Sequence, residues 1–259
     1  MLLVATLAAG ASAACSASEA DEPTITVAAA ADLRLAFKEM AQAFERGCEC
    51  QAVLTFGSSG QFATQIEQGL PVDVFFSANA SYIDDLIQAG LIPPETRQLY
   101  GIGRIVLAVP KDSGLDPAGL DLLTNAAIRH IAIANPDHAP YGVAAQEALE
   151  SSGLWDQVQP KLVLGENAAQ TAQFVETGDA DAGIIPLSLA VQRDDAFRYT
   201  LIDGALHQPL EQTAGIISRS RSRDLADEFI AFVNGPLGRP IMNKYGFVLP
   251  GELPGGEAR

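Results

Sequence analysis

The stretch TFGSSGQFATQIEQGLPVDVFFSAN, Thr55–Asn79, decides the fold. It opens on the end of an apolar strand, turns through GSSG, and then places Phe62 and Ile66 four residues apart, as one face of a short helix requires. Gly69 stops that helix, and VDVFFSA follows as a second apolar strand. Strand, turn, helix and strand in this order is the unit of an α/β fold. The turn raises a chemical question. It puts two hydroxyls and two glycines at a helix start with no histidine, cysteine or lysine close by in the sequence. The first N–H groups of a helix have no intrahelical partner and carry the positive end of its dipole, so the default occupant of such a turn is an anion.

The same form recurs on either side. TITVAAAA (Thr24–Ala31) reads as a buried strand, and after it Leu33, Ala36, Phe37, Met40, Ala41 and Phe44 recur at helical spacing. Asp32 stands where an N-cap belongs. Further on, HIAIAN leads through PDHAPYG into a helix from about residue 142 to 151, and KLVLGEN leads into another. There Asn167 and Gln170 form a capping pattern. RIVLAVP, DAGIIPLSLA and QTAGIISRS add strands, LDLLTNAAI reads as a helix, and DLADEFIAFVNG is an amphipathic helix. Two βα groups of similar size predict a two-lobed α/β protein, each lobe a doubly wound sheet flanked by helices. Residues 23–103 with 213–259 make one lobe and 104–212 the other, with crossings near Gly103 and Gln212 and a ligand cleft between.

Four junctions then share one character: Ala31–Asp32, Ser58–Ser59, Pro140–Tyr141–Gly142 and Ala168–Ala169. In a doubly wound sheet such turns gather at the carboxyl edge of the strands, so all four can face one cleft. Small or neutral residues occupy every one, and no Lys or Arg intrudes. A net charge of −16 argues against a nucleic-acid partner and against steering anions by the overall field. Any anion must be held by short-range donors. His130, His138 and His207 are scattered, and the Cys48–Cys50 pair lacks the second pair of a structural zinc site. No metal site and no cofactor are expected; Cys48 and Cys50 read as a loop before a strand, with room for a local disulfide.

The first 22 residues read as a secretory leader and polar spacer: apolar and small up to Cys15, then acidic. The usual positive n-region is missing, which fits a start further upstream. Two processing routes are open, cleavage after Ala13 or lipidation of Cys15 in SAAC. An enzyme is the competing class. GSSGQ fails the G-x-S-x-G elbow because Gln61 stands where the last glycine belongs, and it is not a P-loop. A secreted hydrolase using Ser59 would need one of only three histidines to reach it through the fold.

The motifs AAAADLRLAF, FGSSGQFATQIEQGLPVDVFFSAN, YGIGRIVLAVPKDS, IAIANPDHAPYGVAAQEAL, LVLGENAAQTAQFVETGDADAGII and FVNGPLGRPIMNKYGFVLP occur in order from Thr24 to about Pro250. Together they resemble the periplasmic molybdate-binding proteins of ABC-type uptake systems. The resemblance implies a periplasmic binding protein of type II-like build that closes on molybdate or tungstate and hands it to a membrane permease, as a monomer in the periplasm. Sulfate is the alternative oxyanion. Carried over by motif, Ser59 gives hydroxyl and N–H, Tyr141 and Ala169 give N–H groups, and Ala31 with Asp32 completes the set. Ser58 lies beside them and mainly shapes the turn, so loss of the Ser59 hydroxyl should weaken binding and leave ligand-free stability almost unchanged. Two departures stand out. Many relatives carry a hydroxyl in the first motif, where this chain has Ala31 and Asp32; some use a tyrosine after the AGII strand, where it has Pro186. We read the Asp32 carboxylate as turned back to cap its helix with the N–H facing the anion. Direct coordination by the carboxylate is the alternative.

Overall fold

The structure, a computed structural model, describes residues 22–252. The leader and Cys15 lie outside the described residues. The elements run β1 (Thr24–Ala30), α1 (Arg34–Cys48, entered through a 3-10 turn at Ala31–Leu33), β2 (Gln51–Gly57), α2 (Ser59–Glu67), β3 (Val74–Ser77), α3 (Ala80–Gln88) and β4 (Gln98–Gly103). Next come β5 (Ile105–Pro110), β6 (Ile131–Ala134), α4 (Pro140–Ser151), α5 (Trp155–Val158), β7 (Leu162–Gly165), α6 (Ala168–Thr177), β8 (Ala182–Pro186), α7 (Leu187–Ala190) and β9 (Phe197–Leu201). The chain ends on β10 (Leu210–Ile216), α8 (Arg223–Asn234) and α9 (Gly238–Lys244).

Two five-stranded sheets result, in the orders β2-β1-β3-β10-β4 and β7-β6-β8-β5-β9. In the first, β1 pairs in parallel with β2 and β3, while β10 runs antiparallel to β3 and β4. In the second, β6 pairs in parallel with β7 and β8, while β5 runs antiparallel to β8 and β9. Both are therefore mixed sheets with a parallel centre. β1 and β6 are the switch points, where one connection leaves to one side and the next to the other. A crevice opens at the carboxyl end of such a strand. The register sets the neighbouring strand end beside it, Ala30 against Gly57 in one sheet and Ala134 against Gly165 in the other.

Three apolar clusters hold the sheets. On one face of the first sheet, Phe37, Phe44, Phe76, Tyr100 and Phe229 pack edge to face with centroids 4.9–5.7 Å apart. On the other face α2 and α3 cover Phe75 with Phe62, Ile66, Ile83 and Leu86. The core of the second lobe is continuous across the gap with Ala30, Ala31 and Ala78 of the first. Small residues at those strand ends let the lobes approach closely.

Several local expectations change. LDLLTNAAI is a single 3-10 turn, Leu120–Thr124, because Asn125 takes the Ala127 N–H onto its side chain and turns the chain away. The edge strands β4 and β9 carry alternating or glycine-broken patterns that gave no strand signal. Cys48 and Cys50 are disulfide-bonded at the end of α1, with Glu49 between them in the left-handed region. Phe229 is completely buried at the meeting of α1, α8 and the sheet. Phe229→Ala should lower the free energy of unfolding by about 3–5 kcal/mol, read by urea denaturation; a loss below about 1 kcal/mol would contradict this packing.

Candidate anion site between the lobes

Ser58 is the extended N-cap of α2, and Ser59 is its first residue. Both are buried, and their hydroxyls do different things. Ser59 Oγ accepts the Ala78 N–H at 3.0 Å. Its own proton is left to donate, since a hydroxyl carries one donor and two acceptor sites. Ser58 Oγ instead donates to the main-chain carbonyl of His138, across the gap in the second lobe, at 2.5 Å. The Gly60 N–H donates to the same carbonyl at 3.0 Å. His138 Nδ1 lies 2.9 Å from Ser58 Oγ. Because the serine proton is already given to the carbonyl, Nδ1 must carry the hydrogen of this contact. Gln61 Nε2 adds a fourth crossing bond, to Glu166 Oε1 at 2.6 Å.

Gly60 makes this meeting possible. A Cβ there would lie 2.7 Å from the His138 carbonyl oxygen and 2.8 Å from the Tyr82 hydroxyl. Gly103, where the chain passes between sheets, plays the same part for Tyr141, whose hydroxyl would lie 2.2 Å from a Cβ at that position.

Asp32 departs from expectation. It is not the N-cap of either the 3-10 turn or α1; Ala30 and Leu33 hold those positions. It is 1% exposed and reaches across the gap. The Tyr141 hydroxyl donates to Asp32 Oδ2 at 2.9 Å, and Gln212 Nε2 donates to the same oxygen at 2.8 Å and to the Tyr141 oxygen at 2.9 Å. Ser188 Oγ donates to the Asp32 carbonyl at 2.8 Å. Ala31 and Leu33 are buried on either side, and the carboxylate takes one donor from the other lobe, Tyr141 on α4, and one from β10 of its own sheet, Gln212. Burial pushes the Asp32 carboxyl up to about 6, against the hydrogen bonds from Gln212, Tyr141 and the main-chain N–H groups of Asp32 and Leu33 that favour the charged form. Burial, with Asp32 beside it, raises the Tyr141 phenol well above its ordinary value.

A hollow with about 200 Å³ of empty space lies where these elements meet, lined by Ala31, Asp32, Ser58, Ser59, Ala78, Tyr141 and Ala168 among others. Among the described residues no Lys, Arg or His side chain lines it. A larger hollow of about 630 Å³, lined by Leu107, Asp121, Leu154 and Asp203 with others, lies entirely in the second lobe and gathers no helix starts.

Of the residues singled out by sequence, Ala31, Asp32, Ser58, Ser59 and Tyr141 come together at this hollow. Ala169 does not line it: its N–H is given to the Asn167 side chain at 3.0 Å, and Ala168 forms the wall instead. The capping pattern that marked this helix start is what withdraws the Ala169 donor. Among the described residues no protein acceptor takes the N–H groups of Ser59, Tyr141 or Ala168. Sequence reasoning missed His138, Gln212, Ser188 and the Gln61–Glu166 pair. His138 stood three residues before Tyr141 in the same motif; nothing local marks Gln212 or Ser188. The histidine that does reach the turn meets Ser58, whose proton is already committed, and not Ser59.

Two mixed sheets whose switch points face each other across a small neutral hollow define a two-lobed binding protein. A family model for bacterial extracellular solute-binding protein matches residues 25–248, and the chain belongs to that family. It is 34% identical to the molybdate-binding protein ModA of Azotobacter vinelandii, over 91% of this chain and 93% of that one. It is 32% identical to ModA of Rhodobacter capsulatus, over 86% and 88%. The solved structure of the Azotobacter vinelandii periplasmic molybdate-binding protein matches with a TM-score of 0.82 at 30% identity, covering 87% of this chain and 99% of that one. These relatives are binding proteins.

The close approach at Gly60 can be tested. Gly60→Ala places a methyl group against the His138 carbonyl, so the lobes should stay further apart. Small-angle scattering with sodium molybdate as probe anion should give a larger radius of gyration for the variant than for wild type. Superimposable profiles would contradict the latch.

Proposed function

We propose that this protein captures molybdate, with tungstate as a second ligand, outside the cytoplasm and delivers it to the permease of an ABC transporter. One observation carries the reading. Helix starts from both lobes meet at one small hollow, and among the described residues the N–H groups of Ser59, Tyr141 and Ala168 and the Ser59 proton have no protein acceptor. The relatives named above bind molybdate and share the fold and most of the chain length. A neutral set of donors suits a dianion that stays fully ionised, because no counter-charge in the site is needed to hold it. Sulfate is the competing ligand, as it has the same shape and charge and differs in size.

The donors engage oxygens of the anion and leave its central atom untouched. Ser59 contributes its hydroxyl and N–H, Tyr141 and Ala168 contribute N–H groups, and Ala31 with Asp32 closes the first-lobe side. Ser58 acts on closure through His138. Capture brings the lobes together about the two crossings, at Gly103–Ile105 and, since Leu210–Gln212 already pair with β4, just before Leu210 and not near Gln212. No bond in the ligand is made or broken. The working form is a monomer exported to the periplasm, free or tethered through Cys15. In support, among the described residues no helix is long and apolar enough to cross a membrane.

Ser59→Ala is the informative variant. A hydrogen bond to a charged partner is worth roughly 1.5–3 kcal/mol, so molybdate affinity should fall by about ten- to a hundredfold. The structure corrects the idea that ligand-free stability would be spared. The Ala78 N–H is buried and loses its acceptor, which costs about 1–3 kcal/mol. Calorimetric titration of wild type and variant with molybdate, tungstate, sulfate and phosphate checks both ligand and residue. Wild type should bind the first two far more tightly. Equal heats and affinities with sulfate, or a variant that binds like wild type, would contradict the assignment.

A further inference from the structure

Asp32 carries an unexplained oxygen. Its Oδ2 takes both side-chain donors, the Tyr141 hydroxyl and Gln212 Nε2, and the main-chain N–H groups of Asp32 and Leu33 lie beside the carboxylate. Its Oδ1 is buried and has no partner among the described residues. A bare carboxylate oxygen in a buried site is costly, and this one belongs to a residue that lines the anion hollow. An ionised Asp32 would also set a negative charge beside a dianion. No cation offsets it. Tyr141 comes from α4, Gln212 from β10 and Ser188 from α7, while Tyr100 on β4 is the one other titratable group close enough to feel the Asp32 charge. No Lys, Arg or His side chain holds the carboxylate in its charged form, and Arg34, two residues on, is exposed.

The hydrogen-bond pattern leaves one place for a proton. Oδ2 is an acceptor twice over, so a hydrogen on the carboxyl must sit on Oδ1. There it turns an unpartnered acceptor into a donor and removes the repelling charge. We propose that Asp32 enters the loaded site as the neutral acid and donates its Oδ1 proton in a hydrogen bond to an oxygen of the bound oxyanion, so that capture of one anion takes up one proton. This rests on the reading of the hollow as the molybdate site. The balance is simple: a proton from solvent joins Oδ1 on closure and returns to solvent on release, and the anion keeps its charge.

The raised carboxyl, at about 6, places the linkage near neutrality. Below that value Asp32 is already protonated and affinity is flat. Above it, each pH unit costs the proton that binding requires, so the dissociation constant should rise by about tenfold per unit. The test is calorimetry on the wild-type protein with sodium molybdate from pH 5 to 9, in two buffers of different ionisation heat at each pH. The expected result is uptake of about one proton per anion at pH 8, falling towards none at pH 5. Asp32→Asn, whose amide can donate at any pH, should show no proton uptake and an affinity independent of pH. Tight molybdate binding by wild type with no proton exchange across this range would overturn the proposal and leave the molybdate assignment standing. An absence of molybdate binding at every pH would overturn the assignment and the proposal with it.

Discussion

Buried N–H groups need acceptors, and here helix starts from two lobes meet at one hollow with N–H groups that have none among the described residues. Each parallel strand pair ends in two helix starts, and the lobes close those ends face to face. The donors of Ser59, Tyr141 and Ala168 then lie in a buried hollow with no protein acceptor to take them. A structure of this kind is complete only with an acceptor between the lobes. The constraint accounts for the small residues at the strand ends, for Gly60 and Gly103, and for the absence of cationic side chains around the hollow. An arginine there would neutralise the anion from one lobe alone. Neutral donors divided between two lobes make the anion the element that joins them.

The bonds that cross the gap separate into two kinds. Ser58, Gly60 and Gln61 meet His138 and Glu166 at one side, through main-chain and neutral or singly charged groups. That contact depends on fit. Asp32, Tyr141 and Gln212 meet at the other side in a buried polar triad whose energetics depend on charge. Adjacent serines in one turn thereby face different partners: Ser58 donates to the His138 carbonyl across the gap, and Ser59 accepts the Ala78 N–H within its own lobe.

Much of this was legible in the sequence, for definite reasons. The βα alternation and the GSSG, ADL, APYG and ENAA junctions are local patterns, and the topology of a doubly wound sheet carries such junctions to one edge. The contacts of Asp32 were not legible. Its partners lie 109 and 180 residues away and come from the other lobe and from the returning strand. Local chemistry favours a helix cap for an aspartate in that position, and tertiary packing overrode it. Ala169 failed in the opposite sense: the Asn167–Gln170 pattern was read correctly as a cap, and the consequence, that the cap consumes the Ala169 N–H, was not drawn. The edge strands β4 and β9 escaped notice because edge strands need not be apolar on both faces.

The central claim is that a single oxyanion fills the hollow where the two lobes meet. Crystals grown with molybdate and measured at the molybdenum absorption edge test it most directly. The account predicts one strong anomalous peak per chain, within hydrogen-bonding reach, through its oxygens, of Ser59 Oγ and the N–H groups of Ser59, Tyr141 and Ala168. A peak confined to another surface, or a hollow that stays closed and empty at saturating molybdate, would contradict it.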